Sequence, residues 1–320
     1  MAVAEPTALE DLQDRFEEAL MQVATSDAPF VAEAATHIIS AGGKRFRPTL
    51  VFLASQFGGE VDEQRLLDAA LVVELTHVAS LYHDDVMDEA EVRRSAPSAN
   101  ARWGNSLAIL IGDYLFARAS ARVAELGTEY VAMQAETFSR LVQGQIAETR
   151  GPGEGEDPLQ HHLKVVADKT GSLIATSAVF GGMVSGASPE VVAALHAYGE
   201  EVGVVFQLSD DVIDITSEET GKTPGTDLRE GVPTLPTLML NSSNDPADDE
   251  LKALIGSDLD SDETLAVALQ RLRSHPVMQQ AKAEVRRRAE KARSHLAPLP
   301  DGEAKDMLAQ VCIDLVERST

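Results

Sequence analysis

A chain of 320 residues, 44% of them apolar, is long enough for one large core or two modest ones. Its formal net charge of −25 argues against nucleic acid and anionic membrane as partners, and an anionic substrate could be held only by locally gathered cations. The single cysteine, Cys312, excludes an intrachain disulfide, and the acidic N-terminus has no basic segment leading into an apolar one, so a cytoplasmic protein without a signal peptide is expected.

Taken in chain order, the pattern is helical nearly throughout. Gly42-Gly43 can end one helix, and Pro48 suits the first turn of the next. Leu67, Leu71, Leu75 and Val78 recur at three-and-four spacing, which predicts a helix over 67–81 leading into Asp84-Asp85-Val86-Met87-Asp88. A helical stretch at Thr128–Arg150 is followed by a polar loop, Gly151–Pro158. Gly171–Pro189 carries no charge, yet its Gly, Ser and Thr residues make it too weakly apolar to span a membrane. It reads as a buried helix whose small residues, Gly181-Gly182 among them, admit close neighbours. Val191–Ile215 is periodic again and contains Asp210-Asp211-Val212-Ile213-Asp214. Ser242–Glu250 reads as a second polar loop, holding Asp248-Asp249, and Leu265–Leu296 as a last helical stretch. No segment alternates as a half-buried strand would. The expected fold is a single all-α domain over residues 1–320.

The two Asp-Asp-x-x-Asp clusters carry the chemistry. Residues four apart share a helix face, so Asp84 stacks with Asp88 and Asp210 with Asp214. Such carboxylates repel one another, and apolar residues at both intervening positions imply part-buried helices, where uncompensated charge is costly. A cation is therefore required. Carboxylate oxygens suit Mg2+, which keeps waters and takes the rest of its shell from substrate phosphates. Asp258, Asp260 and Asp262 imitate the start of a calcium loop, but Glu263 and Leu269 stand where its glycine and bidentate acid belong. They are read as surface.

Cations sit beside both clusters. Lys44, Arg45 and Arg47 open a helix, Arg93 and Arg94 follow Asp88, and His77 lies two turns before Asp84 on the same face. Lys169-Thr170 precedes the uncharged helix, Gln207 shares a face with Asp210, Asp211 and Asp214, and Lys222 lies in a Gly-Lys-Thr-Pro-Gly turn. In so acidic a chain, this placement suggests phosphate held both through metal and directly by Arg and Lys.

The stretches GGKRFRP (42–48), HDDVMDEAEVRR (83–94), WGNSLAILIGDYL (103–115), KTGSL (169–173) and FQLSDDVIDI (206–215) together resemble the trans-isoprenyl diphosphate synthases, or polyprenyl synthetases. The resemblance is clear over roughly residues 30–240 and weaker beyond. It implies an all-α bundle around a central catalytic cavity, a homodimer, Mg2+ as cofactor, and isopentenyl and allylic diphosphates as substrates. It makes Asp84, Asp85 and Asp88 a first metal site, with Asp210 and outer Asp214 a second, and gives Asp211 a metal-bound water to position. Lys44, Arg47, His77 and Arg94 match the isopentenyl diphosphate site. Arg93, Lys169, Thr170, Gln207 and Lys222 match the allylic site, where the Lys169 carbonyl, Thr170 and Gln207 steady a cation. Two departures stand out. Val232 replaces a lysine often found after the second motif, and Ser95-Ala96-Pro97-Ser98 replaces Gly-x-Pro-Thr.

Short-chain members carry bulky aromatics four and five positions before the first motif; here those positions are Ser80 and Ala79. A long product, of about C30–C50, is therefore expected, each helical turn of about 5.4 Å passing roughly one isoprene unit. Met133 is either the tunnel floor or an ordinary core methionine. The alternatives are a farnesyl- or geranylgeranyl-length product and a non-catalytic subunit of a heteromeric synthase. A terpene cyclase fits less well, because its second motif is expected to be asymmetric and its cavity rich in aromatics, here only 4% of residues.

Overall fold

The structure, a computed structural model, describes residues 6–216 and 224–319. The first helices are α1 (Pro6–Ala24), α2 (Pro29–Ser40), α3 (Phe46–Ala54) and α4 (Glu63–Met87). A two-residue ribbon pairs β1 (Val92–Arg93) with β2 (Ala96–Pro97). Then come α5 (Ala99–Trp103), α6 (Asn105–Leu126), α7 (Thr128–Arg150), α8 (Pro158–Val166), α9 (Ser172–Val184) and α10 (Pro189–Thr216). The last are α11 (Thr226–Arg229), α12 (Leu235–Asn241), α13 (Asp249–Ile255), α14 (Asp262–Ser274), α15 (Pro276–Ser294) and α16 (Glu303–Glu317). The fold is all-α, with the ribbon as its only sheet among the described residues.

Two compact units divide the chain: residues 1–138 with 176–196, and residues 139–175 with 197–320. In the first, α4 is buried on nearly every side, with Leu71, Leu75, Val78 and Tyr82 all but inaccessible. Asp62 starts this helix by accepting a bond from the Arg65 amide (3.0 Å), which satisfies one orphan donor of the first turn. Tyr82 buries its ring and donates its hydroxyl to the Ala34 carbonyl at 2.5 Å. Gly181 of α9 does what its composition suggested. A Cβ built there would fall 2.2 Å from the Val51 carbonyl of α3, so only glycine permits this approach.

In the second unit, Tyr198, Val202, Val205, Leu208 and Val212 of α10 form the core. Tyr198 donates to the Leu308 carbonyl (2.7 Å) and Ser209 to that of Leu315 (2.8 Å), fastening α16 through buried hydroxyls. No helix among the described residues is long and apolar enough to cross a membrane.

Three sequence expectations change. The run Leu265–Leu296 is two helices, because Pro276 cannot continue α14 and instead opens α15. The polar loop expected over Ser242–Glu250 is shorter: Pro246–Asp248 forms a 3-10 turn and α13 begins at Asp249. Asp248 is buried rather than loop-exposed, because His275 meets it at 3.0 Å.

Candidate active site

The first acidic motif closes α4. Asp84 is part-buried, Asp85 wholly buried, and Asp88 is the exposed C-cap, its amide bound to the Asp84 carbonyl at 2.8 Å. Carboxylates at a helix C-terminus face the negative end of its dipole, so this placement needs cations from elsewhere. The ribbon supplies one. Its tip residues, Arg94 (φ 51°) and Ser95 (φ 63°), are left-handed, as a two-residue hairpin turn demands. Ser95 thus holds the conformation that the glycine of the related motif would adopt without strain. Folding back, Arg93 donates Nε to Asp85 Oδ1 at 2.6 Å. Burial pushes the Asp85 carboxyl up, against the pull of Arg93, and Asp88 adds repulsion. Oδ2 of Asp85 is buried with no hydrogen-bond partner among the described residues.

A basic cluster lies in the same unit. Arg45 caps α3 in a left-handed conformation (φ 46°) and is occupied by Glu17 (2.5 Å) and buried Glu74 (3.1 Å). It is a structural cation. Arg47 has a buried Nε without a partner among the described residues, and burial lowers its pKa to about 10, with Glu74 opposing and Arg94 adding repulsion. Arg94 donates to the Ile38 carbonyl (3.1 Å) and to that of Gly42. Burial lowers its pKa too, Glu74 opposing. His77 is held well below the ordinary histidine value by burial and by Arg47, Arg94, Arg93 and Arg45. Lys44 is exposed. Three side chains, Arg47, His77 and Arg94, whose charged forms are disfavoured by burial and by neighbouring arginines form a site that an anion would relieve.

Below the motif, Ala79 is fully buried and its carbonyl lies against α6, 3.2 Å from where a Gly112 Cβ would stand. Ser80 is nearly buried and bonds the His77 carbonyl at 2.8 Å. Met133 is part-buried on α7.

In the second unit, Asp210 pairs with Arg318 at 3.1 Å, and Asp214 Oδ1 accepts the Thr226 amide at 3.2 Å. Asp211, expected to position a metal-bound water, is almost wholly buried. Its Oδ2 meets His162 Nε2 and the Leu235 amide, both at 2.9 Å, and its Oδ1 meets Gln207 at 3.5 Å. Asp211 is thus engaged on both oxygens. Lys169 and Thr170 lie in a π-turn, Ala167–Gly171, between α8 and α9, and Lys169 pairs with Glu148. A cavity of about 120 Å3 gathers Lys169, Thr170, Gln207 and Asp211 with His162 and Glu148. Val232 also lines it, where the lysine of the related motif is missing. Lys222 lies outside the described residues.

Sequence reasoning missed Glu74, Glu148, His162 and Arg318. Each serves a motif that is distant in sequence or carries no local signature, so periodicity could not flag them. Among the described residues no three His, Cys, Asp or Glu side chains gather closely enough to form a metal cage. The donors still fit Mg2+: they are carboxylates, one with a buried bare oxygen, and this ion normally completes its shell with water and phosphate.

Known proteins match this arrangement. The polyprenyl synthetase family matches residues 28–272. The nonaprenyl diphosphate synthase of Mycobacterium tuberculosis is 49% identical over 290 residues, covering 90% of this chain and 87% of that protein. A crystal structure of geranylgeranyl pyrophosphate synthase from Corynebacterium glutamicum, complexed with calcium and isoprenyl diphosphate, superposes with a TM-score of 0.88 at 44% identity over 99% of each chain. A decaprenyl diphosphate synthase from Rhodobacter capsulatus gives 0.87 at 30% identity over 98% of each. This chain belongs to the polyprenyl synthetase family of prenyltransferases.

Proposed function

We propose that this protein is a long-chain all-trans polyprenyl diphosphate synthase, condensing isopentenyl diphosphate head-to-tail onto an allylic diphosphate until the product holds roughly six to ten isoprene units. The observation that carries the reading is the bare, buried Asp85 oxygen beside a cluster of buried arginines, at the end of a helix that carries the small residues Ala79 and Ser80 five and four positions before the first motif.

Asp84, Asp85 and Asp88 would hold one group of Mg2+ ions, and Asp210 with Asp214 another. Held there, Mg2+ would stabilise the negative charge that develops on the diphosphate as its C–O bond to the allylic carbon breaks. Lys44, Arg47, His77 and Arg94 hold the diphosphate of the isopentenyl substrate and fix its double bond. His77 does so as a neutral donor, because burial and the arginines keep it unprotonated. Arg93, Lys169 and Lys222 bind the allylic diphosphate, while Thr170, Gln207 and the Lys169 carbonyl turn dipoles toward the allylic carbon. The attacking alkene then loses a proton, which the leaving diphosphate accepts. Asp211 orders this wall through His162 and Gln207 rather than acting alone.

Residues 1–320 are read as one catalytic domain, since the divisions between the two units fall inside α7, α9 and α10 rather than in loops. The protein acts in the cytoplasm as a homodimer, and exposed Leu107 and Leu110, one turn apart on α6, supply an apolar face for the second copy. The similarity to a geranylgeranyl pyrophosphate synthase favours a second reading, a product of four units.

Purified protein incubated with radiolabelled isopentenyl diphosphate and an allylic primer decides between them. Dephosphorylated products of six or more units are expected; products of four or fewer would overturn the long-chain assignment, and no product from the protein alone would make it a non-catalytic subunit. EDTA should abolish condensation and added Mg2+ restore it.

A further inference from the structure

The cavity that holds Lys169 and Thr170 depends on an irregular piece of backbone. Ala167–Gly171 is a π-turn, closed by the Ser172 amide on the Ala167 carbonyl, between two regular helices. A π-turn inserts an extra residue and shifts the facing of the side chains around it, so it survives only where its surroundings hold it. Two glycines bring neighbouring backbone against it. A Cβ on Gly144 of α7 would stand 2.5 Å from the Lys169 nitrogen, and one on Gly203 of α10 would stand 2.4 Å from the Gly171 Cα. Such contact excludes side chains but supplies little directional restraint.

Arg140 supplies it. Its guanidinium meets Asp168, inside the π-turn, at 3.0 Å and forks onto both oxygens of Glu200 on α10 at 2.6 and 3.1 Å. Planar two-point bonding of this kind fixes orientation as well as distance. Arg140 is not among the residues lining the cavity, whereas the two residues after Asp168 are. The structure assigns Arg140 as a positioning residue: bridging Asp168 to Glu200, it fixes the π-turn so that Lys169 and Thr170 face the allylic substrate. The assignment deepens the function proposed above and rests on it for the substrate. Its structural half stands independently.

The test pairs hydrogen exchange with kinetics in Arg140→Ala and in Glu200→Gln, which keeps the shape of its side chain should the first variant fold poorly. Amides of residues 167–172 should exchange at least about tenfold faster, while those of the buried α10 core at Tyr198–Leu208 stay unchanged. kcat/KM for the allylic diphosphate should fall about 10- to 100-fold, with KM for isopentenyl diphosphate within about twofold of wild type. Thr170→Val should cost less in the Arg140→Ala background than in wild type, because the hydroxyl is already misplaced. Unchanged exchange at 167–172, equal losses for both substrates, or strict additivity with Thr170→Val would each overturn the assignment. Wild-type protein without condensation activity would refute the proposed function instead, and the exchange result would still decide whether Arg140 holds the turn.

Discussion

At the scale of single residues, the two acidic motifs have unlike environments. Asp85 is buried beside Arg93 with one oxygen bare, whereas Asp211 is engaged on both oxygens. Asp84→Ala and Asp210→Ala should each lower turnover by several orders of magnitude at unchanged helix content, since each removes a proposed metal ligand that would act chiefly in the transition state. Activity within about tenfold of wild type would contradict the metal assignment. The cations should separate by substrate: Arg94→Ala and Lys44→Ala raise KM for isopentenyl diphosphate, and Arg93→Ala acts on the allylic substrate. Because Arg93 also bonds Asp85, its loss should further weaken the Mg2+ response, visible as a shifted metal titration. His77 makes a pH prediction. Its folded pKa lies below the unfolded value of about 6.5, so the unfolded chain binds more protons as pH falls below that value. Stability is then fully present above about pH 6.5 and declines on acidification. Denaturant melts should show a smaller acid loss in His77→Gln than in wild type.

At the scale of elements, the proposed function makes α4 the link between catalysis and product length. Its final turn carries Asp84 and Asp85, and one turn earlier stands Ser80 on the same face. Ala79 stands about 100° round the helix from Ser80 and is wholly buried, with its backbone carbonyl beside Gly112 of α6. The two positions are therefore unequal tests. Ser80→Phe should shorten the product to roughly three or four units, since the block lies about 5.4 Å from the motif, at some cost in stability because Ser80 is itself nearly buried. Ala79→Phe overpacks a fully buried position and should cost about 1–3 kcal/mol, with any change in product confounded by unfolding. Chromatography of dephosphorylated products, read beside thermal melts, separates the two effects.

For the whole molecule, charge and the proposed dimerisation pull against each other. A net charge of −25 keeps copies apart at low salt, so a dimer needs a localised apolar contact. Leu110, in the second turn of α6, is 60% exposed. Leu110→Glu should lower the dimer fraction in light scattering, most clearly at low ionic strength, while leaving the helical signal intact. An unaltered dimer would move the interface away from this face.

The amino-acid sequence by itself determined the main helices and the acidic faces they carry. Helical periodicity placed α4 and α10, and the spacing of Asp84–Asp88 and Asp210–Asp214 put the carboxylates on shared faces, because both signals are local in the chain. Tertiary structure alone decided what surrounds them. Glu74 compensates the basic cluster, His162 reaches Asp211 from 49 positions earlier, and Arg318 returns to Asp210 from the far end of the chain. The π-turn at Lys169 was equally silent, since composition records no register shift that neighbouring glycines and a forked arginine must hold. A short-range pattern fixes which residues share a helix face; which partner each buried charge finds is settled only when distant segments pack and every desolvated group must be satisfied.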